Sequence, residues 1–426
     1  MSAVSQRRWT VRPHPSFAGW AMLSIGGWAL FLSAAAQTYG FSVFIDPMLA
    51  EFGWSRSFIS AAYTVATLVS AAAVLLVGGL IDRYGQRRVM TVTAAIYVAA
   101  LLLMGSVTNP FSLLVGFTLL RVSGSSVLTL TARTLVSQWF VRQRGRAVSL
   151  INLGKLLGMA AVPPASAVLI AWLGWRMAWQ TLALFVALLI PLTLIFVRNR
   201  PEDVGQYPDG TSSDDAGTGS PVGSYADETS WTLREALRTR TLWLLLSACF
   251  VPAMITNGLS FNQISILAAS GLPSTLAAIT FSVESAIALP TTLAAGWLVD
   301  RFGPRYVLAA GQVTLLLAMI CLAFATTPAL AILFGGLRGL TTGLWILAAE
   351  VAWPAYFGRR HLGSLLGASF AASFVGAAVG PLPFGLVYDA FGSYDYAIGG
   401  LAILPAVTTW AALLAAPPAP KDPREG

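Results

Sequence analysis

Two ten-residue segments decide the fold of this chain: Gly78-Gly79-Leu80-Ile81-Asp82-Arg83-Tyr84-Gly85-Gln86-Arg87 and Gly296-Trp297-Leu298-Val299-Asp300-Arg301-Phe302-Gly303-Pro304-Arg305. The second segment begins 218 residues after the first (296 minus 78). Three further pairs follow at an offset of 217: Arg121 with Arg338, Trp139-Phe140 with Tyr356-Phe357, and Pro164 with Pro381. Four pairs in nearly the same register indicate an internal duplication.

Long apolar runs fill the sequence on both sides of these segments. Hydrophobic residues make up 56% of the 426 residues and charged residues only 10%, against roughly 25% charged in a soluble domain. A bilayer core about 30 Å thick requires roughly 20 apolar residues per helix. The first run is too long for the core of a cleavable signal peptide. The runs predict twelve spans, at residues 17–44, 56–80, 88–108, 111–136, 145–171, 177–197, 241–268, 274–298, 306–326, 329–354, 362–388 and 394–415.

The predicted fold class is therefore an all-α membrane protein, with twelve transmembrane helices in two six-helix bundles related by a parallel repeat. The one long interior loop is rich in Pro, Gly, Ser and Asp, a composition typical of a flexible linker. The predicted divisions are an N-terminal tail (1–16), a first bundle (17–197), the linker (198–240), a second bundle (241–415) and a C-terminal tail (416–426).

The basic residues predict the orientation of the chain. With the spans threaded from a cytoplasmic N-terminus, 20 of the 26 Lys and Arg residues fall on the cytoplasmic side. Only Arg56 and Arg176 fall on the other side. The positive-inside rule then places both termini on the cytoplasmic side of a cell (inner) membrane. Since the cations flank apolar spans rather than forming one soluble patch, they indicate contact with a lipid bilayer and no nucleic-acid partner.

Few residues in the sequence could bind a metal or perform covalent chemistry. Cys249, Cys321, His14 and His361 show no metal-ligand spacing. We also find no nucleophile, base and acid arranged as in an enzyme, and no phosphate-binding loop. The sequence therefore predicts no metal, no cofactor and no enzymatic activity, and we expect a monomer.

The duplicated segment G-x-L-x-D-R-x-G-x-R is the signature loop of the major facilitator superfamily, which the chain resembles over essentially its whole length. That resemblance implies a secondary transporter whose substrate site lies between the two halves near mid-bilayer. A closer resemblance is to the monocarboxylate transporter family and its bacterial relatives. It rests on residues 26–28 (GGW), 139–147 (WFVRQRGRA), 174–176 (GWR) and 200–205 (RPEDVG).

The charged residues of the two signature loops are candidates for a conformational gate. The superfamily resemblance implies that they hold the halves together in the outward-facing state and separate when the cytoplasmic side opens. The alternative is that they only set topology. A further pair, Arg133 and Glu350, is related by the offset of 217 and is either a latch or a structural ion pair. The predicted gate residues are Asp82, Arg83, Arg87, Asp300, Arg301, Arg305, Arg133 and Glu350.

Four charged residues are predicted to lie near the membrane midplane, away from the ends of their spans: Arg121, Lys155, Arg338 and Glu284. A charge at the membrane centre costs about 2.5–3.5 kcal/mol and usually faces a cavity or a partner. Three cations against one carboxylate indicate a cavity that attracts a small anion. We expect Arg121 to hold a carboxylate, Lys155 to tune the site, and Glu284 to neutralise Lys155 or Arg121 and to carry a coupled proton.

Alternatives remain open for each of these residues. Arginines at the positions of Arg121 and Arg338 are, in the superfamily, often tied to backbone carbonyls or to proton coupling. The predicted substrate contacts also include Asn152, Tyr39 and Asn257. The alternative is that these residues form hydrogen bonds between helices. The basic anchor that the monocarboxylate family carries shortly before a Pro is absent from residues 286–289. Either the anion anchor has moved to Arg121 and Lys155, or the substrate is not a monocarboxylate.

The sequence thus favours a proton-coupled or exchanging carrier, a symporter or antiporter, for a small monocarboxylate-like anion. Efflux of drugs or metabolites by proton antiport is the second transport reading. A membrane sensor that binds a solute without moving it is a third reading, of another class. Such sensors often carry a soluble signalling domain, and the loop at 198–240 is short for one.

Overall fold

The computed structural model describes residues 17–140, 144–207, 231–358 and 362–418. The predicted N-terminal tail, residues 419–426 of the predicted C-terminal tail and most of the predicted linker lie outside these residues. All regular elements within them are helical, which confirms the predicted all-α class. They comprise α1 (Gly19–Leu32), α2 (Thr38–Ser42), α3 (Ile45–Phe52), α4 (Arg56–Tyr84), α5 (Gln86–Gly105), α6 (Pro110–Leu120), α7 (Leu128–Trp139), α8 (Arg144–Ala187), α9 (Leu189–Phe196), α10 (Leu233–Ala236), α11 (Arg240–Ala269), α12 (Ser274–Phe302), α13 (Pro304–Ala323), α14 (Pro328–Phe357), α15 (Leu362–Val379), α16 (Pro381–Phe391), α17 (Asp395–Leu401) and α18 (Ile403–Leu414).

Eleven helical stretches of the described residues are long and apolar enough to cross a membrane. One of them, Leu150–Phe196, has 47 residues, or about 70 Å of helix, more than twice the bilayer core. Gly174, with φ 78° and ψ 160°, breaks it, because only glycine adopts that backbone conformation without strain. Arg176, just after the break, donates to the carbonyl of Gly105 at the end of α5. This stretch therefore contains the predicted fifth and sixth spans.

The first predicted span is interrupted, which the sequence analysis did not anticipate. A 3-10 turn, Ser33–Ala36, follows α1, and Gln37 is extended before α2 begins. The break leaves helix-end carbonyls that need donors from elsewhere. The hydroxyl of Tyr97 supplies one to Leu32, at 3.0 Å.

Small residues allow the helices of each bundle to pack backbone against backbone. A Cβ added to Gly154 would lie 2.0 Å from the carbonyl oxygen of Gly27, and one added to Gly380 would lie 2.2 Å from that of Met254. These contacts join α8 to α1, and the junction of α15 and α16 to α11. Glycine at these positions allows the close helix approach.

The two halves meet at the end of the bundle opposite the signature loops, which we call the outer end (Asp46, Arg56, Ser57, Ser265 and Asp389). Asp389 of α16 accepts hydrogen bonds from the backbone N–H groups of Arg56, at 3.2 Å, and Ser57, at 2.8 Å, in the other half. The Arg56 side chain pairs with Asp46 at 2.9 Å. Asp46 in turn accepts from Ser265 at 2.7 Å. These bonds close the outer end.

The predicted gate residues at the other end contact their own halves. Arg83 and Arg301 lie beside neighbouring aromatic rings, and Arg305 donates to the hydroxyl of Tyr306. Arg87 donates to the carbonyl of Leu194. Asp300 is exposed, and the side chain of Asp82 lies outside what the structure describes. The latch between these loops therefore stays a prediction for the state in which the outer end is open.

Candidate functional site

Arg121 is a buried cation in the first half, with 8% of its surface exposed. It starts a π-helical segment, Arg121–Val127, which lies between α6 and α7. Its Nη1 donates to the Ala36 carbonyl at 3.2 Å, at the break in the first span. Its guanidinium carbon lies 4.9 Å from the centre of the Tyr63 ring, and its Nε has no partner. Among the described side chains, no carboxylate forms a salt bridge with it.

A chain of hydrogen bonds leads from Tyr63 to the second half. The Tyr63 hydroxyl lies 2.5 Å from Oγ1 of Thr38, and Thr38 donates to Oδ1 of Asn257 at 2.8 Å. The predicted contact Asn257 thus lies at the interface between the halves, linked to Arg121 through Thr38 and the Tyr63 ring. Thr38 was missed, although it stands between Gln37 and the predicted contact Tyr39.

Tyr39, another predicted substrate contact, lies beside this chain. Its ring is 6.1 Å from Phe281 of α12, and its buried hydroxyl has no hydrogen-bond partner. A buried hydroxyl without a partner costs about 1–3 kcal/mol. Tyr39 therefore offers a free polar group at the boundary between the two halves.

Arg338 is also buried, but it is paired. Its Nη2 donates to Oε1 of Glu284 at 3.2 Å and to Oγ of Ser260 at 2.7 Å. Thr342 donates to the same carboxylate oxygen at 3.2 Å. Both charged residues are only 2% exposed. Oε2 of Glu284 and both Nε and Nη1 of Arg338 lack partners.

The partner of Glu284 differs from the expectation that it neutralises Lys155 or Arg121. Glu284 lies on α12 and Arg338 on α14, two helices that pack along much of their length in the second half. Arg121 and Lys155 belong to the first half. The carboxylate is thus paired within the second half, although α12 also packs against α8, the helix of Lys155.

Lys155, Asn152 and Arg133 form a second basic region of the first half. Nη2 of Arg133 donates to Oδ1 of Asn152 at 3.2 Å, so a predicted gate residue holds a predicted substrate contact. Lys155 is half-buried and forms no salt bridge with any described residue. Arg133 and Arg121 lie within electrostatic range of it. Glu350 acts on Arg133 from the second half, but the two do not form a salt bridge.

The site therefore has an excess of positive charge in the first half. Arg121, Arg133 and Lys155 have no carboxylate in contact within the described residues, whereas Arg338 is neutralised by Glu284. The Nε–H group of Arg121 and the hydroxyl of Tyr39 have no partner in the described part of the chain and can donate hydrogen bonds to the oxygens of an anion. No group of three potential metal ligands occurs within the described residues.

The register of the repeat changes just before the π segment. Pro110 and Pro328 begin equivalent helices and are 218 residues apart (328 minus 110), but Arg121 and Arg338 are 217 apart. The first half thus has one extra residue between the helix start and the arginine. The second-half helix α14 runs from Pro328 to Phe357 without interruption. The extra residue lies just before Arg121, where the π segment begins. π-helical turns are common at functional sites.

Comparison with known proteins shows which family profile, relatives and solved structures the chain resembles. The sequence profile of the Major Facilitator Superfamily matches residues 27–290 and 259–426. A probable L-galactonate transporter of Escherichia coli is 25% identical over 377 residues, which cover 82% of this chain and 78% of that protein. A probable 4-methylmuconolactone transporter of Cupriavidus pinatubonensis is 26% identical over 188 residues, less than half of either chain. The crystal structure of nucleoside transporter NupG shares the fold, with a TM-score of 0.71, 13% identity, and coverage of 94% of this chain and 99% of that one.

Proposed function

The chain belongs to the major facilitator superfamily, and we propose that this multi-pass membrane transporter carries a small organic anion by alternating access. Arg121 carries the proposal: it is a buried cation with a free Nε and no carboxylate partner among the described residues. A buried charge without a carboxylate partner inside a membrane span supports the hypothesis of a substrate pathway. Guanidinium groups bind carboxylates through paired, charge-assisted hydrogen bonds.

We propose that the substrate carries one carboxylate, because one arginine of the resting site lacks a carboxylate partner among the described residues. Arg121 supplies the anchor and Lys155 a second positive charge, while Arg338 is neutralised by Glu284. Tyr39 and Asn257 offer polar groups between the halves. The galactonate in the name of the Escherichia coli relative is a carboxylate, which agrees with this class.

Glu284 is proposed as the proton-coupling residue. Protonation would remove its negative charge and release Arg338, whose Nε and Nη1 already lack partners. The released guanidinium could then bind the same anion. Proton and anion would therefore favour one another's binding, which is the thermodynamic requirement for symport.

The closed outer end supports alternating access. In the state described here, hydrogen bonds join the halves at Asp389, while the described gate residues bind within their own halves. We propose that the signature loops face the cytoplasm of a cell (inner) membrane, with both termini on that side. The transporting unit is proposed to be one chain.

Uptake into proteoliposomes tests the function. Radiolabelled lactate, pyruvate, galactonate and dicarboxylates would be offered with and without an inward proton gradient. We expect at least one monocarboxylate to accumulate, more strongly with the gradient, and Arg121→Ala to abolish its uptake. Absence of anion flux under every gradient would overturn the proposal, and flux of organic cations lost in Glu284→Gln would favour proton-antiport efflux.

A further inference from the structure

A groove on the outside of the first bundle lies away from the candidate functional site. It runs between α4, α5 and the π segment and has a volume of about 440 Å³. Valine, leucine and isoleucine side chains form most of its walls, and Arg88 and Tyr84 stand at one end. The groove is lined by Val77, Leu80, Tyr84, Arg88, Val89, Val92, Thr93, Ile96, Val122, Ser123 and Val127.

The groove faces the surroundings of the bundle. Leu80, Val92 and Ile96 are 46%, 58% and 42% exposed, although they belong to membrane-spanning helices. From Arg88 to Ile96 the groove follows α5 for eight residues, or about 12 Å. That length is close to the depth of one bilayer leaflet, about 15 Å. A lipid acyl chain of the same leaflet matches both the chemistry and the length.

Arg88 indicates the charge of the lipid. It is exposed at the end of the groove beside the signature loop, and it forms no salt bridge with any described residue. Its equivalent in the second half, at the loop offset of 218, is Tyr306, so the repeat does not require a cation there. Basic residues at the membrane end of a pocket between helices are typical of sites for anionic lipid headgroups.

We propose that this groove binds an anionic phospholipid, with one acyl chain between α4 and α5 and the phosphate on Arg88. Val122, Ser123 and Val127 of the π segment form one wall. The bound chain therefore contacts the same helical segment that begins with Arg121. The proposal does not depend on the identity of the transported solute.

Native mass spectrometry of the full-length, detergent-purified protein tests the site. Phosphatidylglycerol and phosphatidylcholine with matched acyl chains would be titrated separately. We expect the protein to retain one phosphatidylglycerol about fivefold more tightly than phosphatidylcholine, the effect of one arginine near a headgroup. In Arg88→Gln this preference should disappear, and Val92→Trp, which fills the groove, should weaken retention of both lipids.

Two variants serve as matched controls. Arg83→Gln removes an exposed cation of the same loop that does not line the groove, and Ala310→Trp places the same bulk at the equivalent position of the second half. Both should retain phosphatidylglycerol like the unmodified protein. Equal losses in Arg83→Gln and Arg88→Gln would indicate general surface attraction and overturn the site. Equal binding of the two lipids by the unmodified protein, or unchanged retention in Val92→Trp, would also overturn it.

Discussion

Arg121 and Arg338 occupy matching positions of the repeat, yet their surroundings differ. Arg121 contacts a carbonyl and an aromatic ring, whereas Arg338 is paired with a buried carboxylate. The first-half counterpart of Glu284, at the offset of 218 that holds for this helix pair, is the buried Ala66. One carboxylate thus neutralises Arg338, and its absence at the matching position leaves Arg121 without a counter-ion among the described residues. The site is therefore asymmetric, although the two halves repeat the same scaffold.

The largest expected effect is on the free energy of unfolding, which should fall much more when Arg338 is replaced than when Arg121 is replaced. Arg338→Ala leaves Glu284 buried and unpaired, which costs about 3–5 kcal/mol. Arg121→Ala breaks no ion pair and should cost far less. Thermal unfolding in detergent should show a large fall in Tm for the first variant only. A double variant, Arg338→Met with Glu284→Leu, should recover most of the loss, and equal falls in the two single variants would contradict the comparison.

Anion binding should instead depend on Arg121, which has no carboxylate partner within the described ranges, more than on Arg338. Arg121→Ala removes charge-assisted bonds worth about 1.5–3 kcal/mol, or roughly 10- to 100-fold in affinity. Lys155→Ala should weaken binding through the loss of a second charge. Ligand-induced thermal shifts on purified protein measure both. Unchanged anion binding in both variants would place the site elsewhere.

Removing the charge of Glu284 makes the surroundings of Arg338 resemble those of Arg121. Glu284→Gln removes the negative charge and frees Arg338, so anion binding should persist. Uptake driven by an anion gradient should continue in the variant, while a proton gradient should no longer drive accumulation. A variant that still responds fully to the proton gradient would exclude Glu284 as the coupling residue.

The smallest effect concerns the hydrogen bonds that link Arg121 to the second half. Thr38→Val keeps the side-chain shape and removes the bonds to Tyr63 and Asn257. A net loss of about 1 kcal/mol corresponds to about a fivefold change in anion affinity. Ser24→Val, which removes only a bond to its own helix, is the control. Equal effects of the two variants would mean that the link does not contribute.

The sequence predicted the parts of the molecule that depend on local pattern. Apolar runs and duplicated loops such as Asp300-Arg301 predicted the spans and the superfamily, because burial in lipid imposes length and composition on every helix. The pairing of Glu284 with Arg338 was not predicted, since it depends on the rotation of two neighbouring helices. The break at Gln37 has no proline to indicate it. The π segment was not predicted, because the repeat offset does not change across it.

Asp389 at the outer end does more than join two halves. It accepts from the first-turn N–H groups of α4, where Ser55 already binds a third N–H, that of Phe58. The carboxylate is thus a helix cap supplied by the opposite half. When the outer end opens, water can take over those N–H groups, and each exchanged hydrogen bond changes the free energy by only about 1 kcal/mol. A closure made of bonds that water can replace can be broken and remade in every transport cycle.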